Sequence, residues 1–370
     1  MNGPITRDVW LWQLVPPLWN TEDDDVLVCC QVRQETHDVK SFIFRPRTPG
    51  LVRFLPGQFL TLELEIDGAT VNRCYTISSS PTRPDTLSIT VKRVTGGTVS
   101  NWLHDNLAAG MSVRALGPSG EFACALHPAG KYLFLSGGSG ITPLMSMSRS
   151  FHDLGEDRDV VFVHNARTPA DIVFRRELGL LAANQPGFRT AFVCEGRGSE
   201  PDWASPTGYL DLALLKRIAP DFAEREVFCC GPAPYMAAVR ALLSEGGFDM
   251  KHYHEESFSF ADAPGEQEGE GVPLTEETGA VEVTGFSVEF AKSGRTVVCA
   301  PGQKLLDAAR AAGLRLPSSC AKGVCGTCKS RLVSGEVDMV HGGGIRQREI
   351  DQGMILPCCS TPRSDLVIER

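Results

Sequence analysis

Three cysteines within nine residues constrain the C-terminal part of this chain more than any other feature. Cys320, Cys325 and Cys328 lie in "SSCAKGVCGTCKSRL", residues 318–332, among glycines and an alanine. Closely spaced cysteines serve disulfides, zinc sites, dithiol redox motifs and iron–sulfur clusters. The rest of the sequence has to distinguish between these four uses.

The spacing of the cysteines favours an iron–sulfur cluster. A dithiol motif at "CGTC" would need a thioredoxin-like βαβ context, and the surrounding sequence does not have one. Zinc normally takes cysteine pairs at matched spacings, whereas Cys320 is offset here and no second pair follows. C-x4-C-x2-C with a distant fourth cysteine is the plant-type [2Fe–2S] arrangement. The fourth ligand would come from "ILPCCSTP", in which Cys358 and Cys359 are both candidates.

Length and composition predict several domains in an ordinary globular protein. A chain of 370 residues is too long for one compact core. The apolar stretch "VWLWQLVPPLW" is too short to cross a membrane and lacks the basic flank of a signal peptide. We therefore expect a cytoplasmic location, reduced thiols and no membrane partner. The net charge of −9 argues against a nucleic-acid partner.

An acidic segment separates the cysteine-rich region from the rest of the chain. Residues 260–280 hold six acidic residues and no basic one, which predicts a flexible linker. After it, "FSVEFA" and "RTVVCA" predict a hairpin, "QKLLDAARAAG" a helix and "DLVIE" a closing strand, the pattern of a β-grasp ferredoxin. Residues 281–370 are net basic, and Lys322, Lys329 and Arg331 flank the cysteines. We expect these cations to dock on an acidic patch of a redox partner.

The first hundred residues after position 25 read as short strands separated by turn signals. In "TLSITVKRV" the residues Leu87, Ile89 and Val91 alternate with polar residues, as in a strand with one buried face. Breaks such as "RPRTPG" and "SSPTRPD" recur between these segments. Many short strands in about a hundred residues predict an antiparallel barrel.

Two segments of this barrel have the residue types that a flavin nucleotide needs. In "NRCYTISSSP", Arg73 and Tyr75 lie on the same side of one strand, where an arginine can hold a phosphate and a tyrosine ring can stack on a heterocycle. In "RVTGGTVSNWL", Gly97 and Ser100 at an expected helix start would suit a pyrophosphate. Each feature alone is also explained by a core tyrosine, a hairpin or an N-cap serine. The order and spacing of both segments favour the flavin.

The middle of the chain changes to the pattern of a parallel α/β sheet. "KYLFLSGGSGITPLMSMSRSF" gives a buried strand, a glycine turn and a helix, and "VVFVHN", "RTAFVC" and "EVFCCGP" are further buried strands. Together they predict a doubly wound sheet that binds its ligand at "GGSGITP" and "CCGP". The glycine turn is not the Rossmann fingerprint, because it ends in Pro143. Arg167 could face a 2′-phosphate or pair with Asp171, which leaves NADH and NADPH open.

His252 and His254 form an i, i+2 pair that could suggest a metal site. The sequence shows no third ligand for it. We expect both residues to be partly exposed on a strand.

"RCYTISSSP", "GPSGEF" and the segments that follow resemble the ferredoxin–NADP reductase family. The order of flavin, nucleotide and ferredoxin domains is similar to the reductase components of two-component Rieske oxygenases. Phrases such as "VSNWLHDNL" and "YHEESF" look closest to reductases of quaternary-amine demethylases, with glycine betaine the expected amine ahead of carnitine and stachydrine. This resemblance implies a multidomain α+β and α/β protein with an antiparallel flavin-binding β-barrel, a doubly wound nucleotide-binding domain and a C-terminal β-grasp ferredoxin.

The resemblance also implies roles for individual residues. Arg73 would hold the flavin phosphate, Tyr75 would stack on the isoalloxazine and Thr76 would lie near its N5. The other residues implied for FAD are Ser78, Lys92, Gly97, Val99 and Ser100. Those implied for the nicotinamide dinucleotide are Gly137, Gly138, Gly140, Thr142, Pro143, Cys230, Gly231 and Pro232. Glu256 and Phe258 would approach the flavin and nicotinamide, and Tyr75, Thr76, Cys230 and Glu256 are the catalytic candidates. Among the cluster ligands, the family favours Cys358 over Cys359.

These features together predict five segments and one electron path. The segments are an N-terminal extension (1–25), an FAD-binding barrel (26–127), an NAD(P)-binding domain (128–259), the acidic linker (260–280) and a [2Fe–2S] ferredoxin domain (281–370). Electrons would pass from NADH or NADPH through FAD and the cluster, one at a time, to a Rieske-type oxygenase. That oxygenase must be a separate chain, because this sequence has no Cys-x-His…Cys-x-x-His pair. The alternatives are a reductase for a hybrid-cluster protein or an aromatic-ring oxygenase and, more remotely, a redox sensor or interaction protein.

Overall fold

The computed structural model describes residues 16–21, 23–257, 285–314, 316, 321–324, 326 and 328–370. The predicted acidic linker, Phe258, Cys320 and Cys325 lie outside the described residues. Two compact units divide the chain, one within Met1–Leu60, Tyr75–Arg93 and Trp102–Phe258 and the other within Thr61–Cys74, Val94–Asn101 and Ser259–Arg370. Within the described ranges, no helix has the length and apolar character needed to cross a membrane.

The N-terminal part forms a six-stranded antiparallel sheet, as predicted. Its elements are β1 (Val26–Thr36), β2 (Val39–Pro46), β3 (Phe59–Ile66), β4 (Ala69–Thr76), β5 (Leu87–Lys92), α1 (Thr98–Asn106) and β6 (Ser112–Ser119). The strand order is β4-β3-β6-β1-β2-β5. A bridge between Ile77, which follows β4, and Ile89 on β5 brings the two ends of this order together. The sheet therefore curves into a barrel, because its first and last strands meet.

Strand β5 is less regular in its burial than the sequence predicts. Leu87, Ile89 and Val91 are buried, but so is Thr90, which the alternation places on the polar face. The Thr90 hydroxyl lies 2.8 Å from both the Ser41 and the Ser78 hydroxyls. These hydrogen bonds satisfy the polar group inside the protein, so the second face of β5 is buried at Thr90, while Ser88 and Lys92 on that face stay partly exposed.

The middle part forms the predicted doubly wound parallel sheet. Its elements are β7 (Lys131–Gly137), α2 (Ile141–Leu154), β8 (Asp159–Ala166), α3 (Arg175–Asn184), β9 (Phe188–Cys194), α4 (Leu212–Ile218), β10 (Glu226–Gly231), α5 (Ala233–Glu245) and β11 (Tyr253–Ser257). The strands lie in the order β11-β10-β7-β8-β9 and all pair in parallel. The order reverses between β7 and β10, and this switch point is where such sheets bind ligands.

Alternate residues of β7 pack into two separate hydrophobic cores, one on each face of this sheet. Tyr132 and Phe134 belong to a buried cluster with residues of α2 and α3, whereas Leu133 and Leu135 belong to one with residues of α4 and α5. Both faces are covered by helices, which explains why the strands read as continuous apolar runs.

The C-terminal part has the mixed sheet of a β-grasp fold. Its elements are β12 (Phe286–Phe290), β13 (Arg295–Cys299), α6 (Leu305–Ala311), β14 (Ser330–Ser334), β15 (Val337–Met339), α7 (Gln347–Ile350), β16 (Met354–Ile355), β17 (Ser360–Pro362) and β18 (Leu366–Glu369). The main sheet has the order β13-β12-β18-β14-β16, with β12 and β18 parallel, and β15 pairs with β17. The predicted hairpin, helix and closing strand are all present.

Candidate functional site

A cavity of about 530 Å³ opens at the carboxyl ends of the parallel strands. Gly137 and Gly138, which end and follow β7, and Pro232, which follows β10, line it. The cavity therefore lies at the topological switch point, where the sequence places "GGSGITP" and "CCGP". Its other lining residues include Lys92, Asn165, Arg167, Asp171, Tyr209 and Tyr235.

The glycines around this cavity are required by close approaches of the backbone. A Cβ on Gly140 would lie 2.3 Å from the Cys230 carbonyl oxygen, and one on Gly231 would lie 2.6 Å from Cδ1 of Tyr235. Gly138 has φ of +53°, a left-handed conformation that suits glycine. α2 starts at Ile141, so Thr142 and Pro143 lie in its first turn, whose amides face the glycine turn. Narrow glycine turns at a helix N-terminus fit a pyrophosphate.

Sequence reasoning missed the polar residues that shape one wall of the cavity. Asn165 donates to the Tyr235 hydroxyl at 2.8 Å and to the Ser136 carbonyl at 3.2 Å. Ser136 in turn bonds Nδ1 of His164 at 2.7 Å. His164 is fully buried, and this burial lowers its pKa to about 3, so the ring is neutral. The available signal was the dipeptide His164-Asn165 at the end of a buried strand.

Lys92, Arg167 and Asp171 line another wall of the cavity, and Asp38 lies beside them. Arg167 Nη2 is 3.8 Å from Asp38 Oδ2 and 3.9 Å from Asp171 Oδ1, while Lys92 Nζ is 3.4 Å from Asp38 Oδ2. Burial would raise the pKa of Asp38, but the charge of Lys92 holds it below its usual value. Of the two roles predicted for Arg167, pairing with Asp171 is thus observed, and the residue also borders the cavity.

Cys230 and Glu256 face each other across two parallel strands. They are register partners on β10 and β11, and Cys230 is fully buried. Burial, followed by the charge of Glu256, raises the pKa of the Cys230 thiol well above its usual value. A neutral buried thiol is a poor nucleophile. In this structure Cys230 belongs to the core cluster on the α2 side of the sheet.

β4 carries the residues predicted for the flavin. Arg73 and Tyr75 are half-buried and two positions apart, and Thr76 is buried at the end of the strand. Among the described residues, the buried Thr76 hydroxyl has no hydrogen-bond partner. An unpartnered buried hydroxyl is costly, so it fits a ligand that supplies the missing bond. The Ser78 hydroxyl, by contrast, bonds the hydroxyls of Ser88 and Thr90 and so serves the barrel interior.

The helix start predicted near Ser100 is two residues earlier. α1 begins at Thr98, and the Ser100 hydroxyl accepts from the Val94 amide at 3.1 Å. Gly97 is required because a Cβ there would lie 2.8 Å from Ser100 Oγ. The side chain of Val99 is buried, so only its backbone could meet a phosphate. Ser100 lies inside α1, so the alternative explanation of this residue as an N-cap does not hold, and the compact turn presents helix amides.

Two of the four predicted cluster cysteines are described, and they lie together. Cys328 Sγ is 3.2 Å from Cys358 Sγ, and both residues are buried. The hydrogen bond with Cys358, followed by burial, raises the pKa of Cys328. Two buried thiols this close cannot both ionise unless a positive group compensates them. The pair therefore has the donor chemistry of an iron–sulfur site, and the other two predicted ligands lie outside the described residues.

Close backbone approaches shape the loop beside these cysteines. Gly323 and Gly326 both have φ of +70°, and the Gly323 carbonyl accepts from the amides of Gly342 and Gly344. A Cβ on Gly344 would lie 2.7 Å from the Gly326 amide nitrogen. A side chain at these positions would push the loop apart, which explains the small residues in the cysteine-rich segment.

The adjacent cysteines Cys358 and Cys359 do not lie on a strand. Pro357–Cys359 forms a 3₁₀ turn, because Pro357 cannot continue the β-ladder. The Cys359 thiol still differs from its neighbour, since it lies 3.5 Å from the Leu356 carbonyl and is less buried than Cys358. The turn, and not a strand, gives the two thiols different surroundings.

A buried ion cluster within the second unit was not predicted. Lys329 Nζ is 3.0 Å from Glu63 Oε1 and 2.6 Å from Glu349 Oε1. Arg346 Nη1 is 3.0 Å from Glu63 Oε2. Burial would raise the pKa of Glu349, but its hydrogen bond to Lys329 holds it below its usual value. The prediction that Lys329 docks a partner is therefore wrong, while Lys322 and Arg331 remain exposed.

Three family models match consecutive parts of the chain. An oxidoreductase FAD-binding domain matches residues 28–124, and an oxidoreductase NAD-binding domain matches residues 134–241. A 2Fe-2S iron-sulfur cluster binding domain matches residues 288–363. The three matches follow the order of the barrel, the parallel sheet and the β-grasp sheet.

Known proteins resemble the chain over its full length. The glycine betaine monooxygenase reductase subunit of Pseudomonas aeruginosa is 50% identical over 99% of this chain and 98% of its own. The stachydrine N-demethylase reductase subunit of Rhizobium meliloti is 43% identical over 94% of this chain and 97% of its own. Among solved structures, phthalate dioxygenase reductase matches with a TM-score of 0.55 and 26% identity over 93% of this chain and 97% of that one.

Proposed function

Because the chain belongs to the ferredoxin–NADP reductase-like oxidoreductases that join FAD-, NAD- and [2Fe–2S]-binding domains, we propose that its partner is a Rieske-type oxygenase that demethylates glycine betaine. The chain is an NAD(P)H-dependent reductase component of a monooxygenase system, with the oxygenase on a separate chain. The observation that carries the choice of amine is the full-length identity to glycine betaine monooxygenase reductase subunits, which exceeds that to the stachydrine system.

The residues of the first unit have defined tasks in this proposal. The glycine turn after β7 and the first turn of α2 hold the dinucleotide pyrophosphate, supported by the cavity and by the closeness of Gly140 to Cys230. Cys230 and Glu256, which are register partners on β10 and β11, border the nicotinamide, and burial keeps the Cys230 thiol protonated and unreactive. Thr76 completes the flavin site with its buried hydroxyl.

Other residues bind the FAD phosphates, the flavin ring and the iron–sulfur cluster in this proposal. Arg73 and the amides at the start of α1 neutralise the FAD phosphates, and Tyr75 covers the ring. Cys328 and Cys358, with Cys320 and Cys325, hold the cluster. When bound, FAD accepts electrons from NAD(P)H in pairs and the cluster carries them singly, which matches a two-electron donor to a one-electron acceptor.

We keep the five segments as proposed domain bounds: 1–25, 26–127, 128–259, 260–280 and 281–370. The matched family ranges support the three larger ones. We also propose a cytoplasmic location. It is supported by the 2Fe-2S domain match, because such a cluster needs its cysteines as thiolates and not in disulfides.

Reconstitution with purified Rieske oxygenases tests the choice of partner. The protein is mixed with glycine betaine, stachydrine and carnitine oxygenases in turn, NADH or NADPH is added, and formaldehyde release is measured. The proposal expects the fastest release from glycine betaine. Faster release with the stachydrine or carnitine oxygenase would contradict the assignment, and reduction of a hybrid-cluster protein alone would contradict an oxygenase partner.

A further inference from the structure

Three histidines surround one glutamate at the amino ends of the parallel strands. Glu226 is the first residue of β10, His254 lies on β11, and His127 precedes β7. His254 Nε2 lies 2.6 Å from Glu226 Oε1, and His252 Nδ1 lies 2.9 Å from Glu226 Oε2. As expected, both His252 and His254 are partly exposed, although only His254 lies on a strand, and the fold brings His127 and Glu226 close to them.

We propose that His127, Glu226 and His254 form a binding site for a divalent transition-metal ion, with Zn²⁺ the best fit. One ligand atom from each of the three lies within 4.8 Å of the other two. Tetrahedral zinc with nitrogen and oxygen ligands needs donor atoms about 3.3 Å apart, so the side chains would have to rotate to complete the site. Two imidazoles and one carboxylate are a common zinc ligand set, and they leave a fourth position for water.

The rings of the two proposed histidine ligands are in direct contact, and one of them would have to turn to direct its nitrogen at a shared ion. The rings of His127 and His254 lie 3.7 Å apart at 29° to each other, and Phe228 lies behind His254 at 4.8 Å. His127 is also fixed through its backbone, because its carbonyl accepts from the buried Tyr132 hydroxyl at 3.1 Å.

His252 has a different role, because its contact is with the carboxylate. It is more than half exposed and bonds the oxygen of Glu226 that His254 does not contact. It thus orients the Glu226 carboxylate and is a positioning residue. Loss of such outer partners typically weakens metal affinity by about 10- to 100-fold.

The site is separate from the nucleotide cavity. Glu226 begins β10 and Gly231 ends it, so the two sites are roughly 16 Å apart along the strand. A bound ion would join the segment entering β7, the start of β10 and the edge strand β11. Glu256 lies two residues after His254 on that edge strand, so the ion would also anchor the strand that faces Cys230.

Equilibrium dialysis of the full-length, cofactor-loaded protein against Zn²⁺ alone tests the site. Bound zinc is counted per chain for the wild type, His127→Gln, His254→Gln and the exposed His152→Gln as matched control. We expect the first two variants to bind one zinc fewer than the wild type and His152→Gln to bind as much as the wild type. His252→Ala should keep the site with about tenfold weaker affinity.

Glu226→Gln is a second test that stays informative if the histidine variants misfold. It keeps the shape of the Glu226 side chain and removes its charge. Flavin absorbance and thermal unfolding verify that each variant is folded, and zinc should raise the melting temperature of the wild type more than that of Glu226→Gln. Equal zinc content in the wild type, His254→Gln and Glu226→Gln would overturn the proposal, because the zinc would then be held elsewhere. Absence of zinc binding by the wild type would also overturn it.

Discussion

Gly140→Ala should disable the nucleotide site through a single added methyl group. The Cβ of alanine would lie 2.3 Å from the Cys230 carbonyl oxygen and 2.5 Å from the Gly231 amide nitrogen. Gly140 itself has φ of −65°, which alanine adopts without strain, so the clash is the main effect. β10 pairs with β7 on one side and β11 on the other, and it cannot easily move.

The expected size follows from how far the backbone must shift. Reaching ordinary contact requires the start of α2 to move by about 1 Å, and overpacking of this kind costs typically 1–3 kcal/mol. A displacement of about 1 Å at a positioning element also costs roughly 100-fold in rate. We therefore expect a lower melting temperature together with weaker NAD(P)H binding and slower flavin reduction.

Stopped-flow bleaching of the flavin at increasing NAD(P)H concentration measures affinity and rate, and circular dichroism measures thermal unfolding. Gly179→Ala is the matched control, because nothing lies within 4 Å of its added methyl in α3, and it should be neutral or stabilising by up to about 1 kcal/mol. Gly138→Ala separates the two effects, because nothing lies within 4 Å of its added methyl but the left-handed backbone at this position is strained with alanine. If Gly140→Ala reduces its flavin like Gly179→Ala, the close approach between the two turns is not what forms the site.

Three further predictions concern charge and domain separation. The hydrogen bond to Arg225 lowers the pKa of Asp221 to about 2. The ionised carboxylate therefore stabilises the folded state fully above pH about 4, and this contribution disappears as the pH falls through about 2. Asp221→Asn should thus lower the free energy of unfolding at pH 7 by about 1 kcal/mol or less after solvent screening. A difference in unfolding free energy between the variant and the wild type that stays constant down to pH 2 would contradict this. A chain ending at Gly279 should bind FAD and reduce ferricyanide, yet reduce cytochrome c and the oxygenase poorly; equal oxygenase reduction by both lengths would show that electrons do not leave through the ferredoxin domain. Electron transfer to the oxygenase should weaken as salt shortens the Debye length below about 8 Å, because Lys322 and Arg331 are exposed; a rate independent of salt would contradict electrostatic docking.

The strand and helix pattern was predictable where one periodicity dominated. The runs that became β7, β8 and β10 are apolar because helices cover both faces of their sheet, and the glycines at the ends of β7 and β10 marked the ligand edge. The burial of Thr90 was not predictable, because it depends on partner hydroxyls from β2 and from the segment after β4. Local patterns do not show which distant polar groups will meet.

The same limit applies to the charged residues. Lys329 follows a cysteine of the cluster loop and reads as an exposed docking cation, but Glu63, far away in sequence, pairs with it and buries it. The sequence around His252 and His254 likewise shows no third ligand, because the neighbouring ring of His127 comes from another segment of the chain. Long-range pairing decides the role of such side chains, and a single sequence does not show it.

The most direct test of the account compares Cys358→Ser with Cys359→Ser in delivering electrons to the oxygenase. Cys358 lies 3.2 Å from Cys328 as a cluster ligand should, whereas the Cys359 thiol lies 3.5 Å from the Leu356 carbonyl. The account predicts that Cys358→Ser keeps FAD and its reduction by NAD(P)H, but loses or markedly distorts the visible and paramagnetic signals of the cluster and no longer reduces the oxygenase. Cys359→Ser should retain all of these. Wild-type oxygenase reduction by Cys358→Ser with a native spectrum, together with loss of both in Cys359→Ser, would contradict the ligand assignment. Oxygenase reduction that persists in a variant without its cluster would contradict the electron path itself.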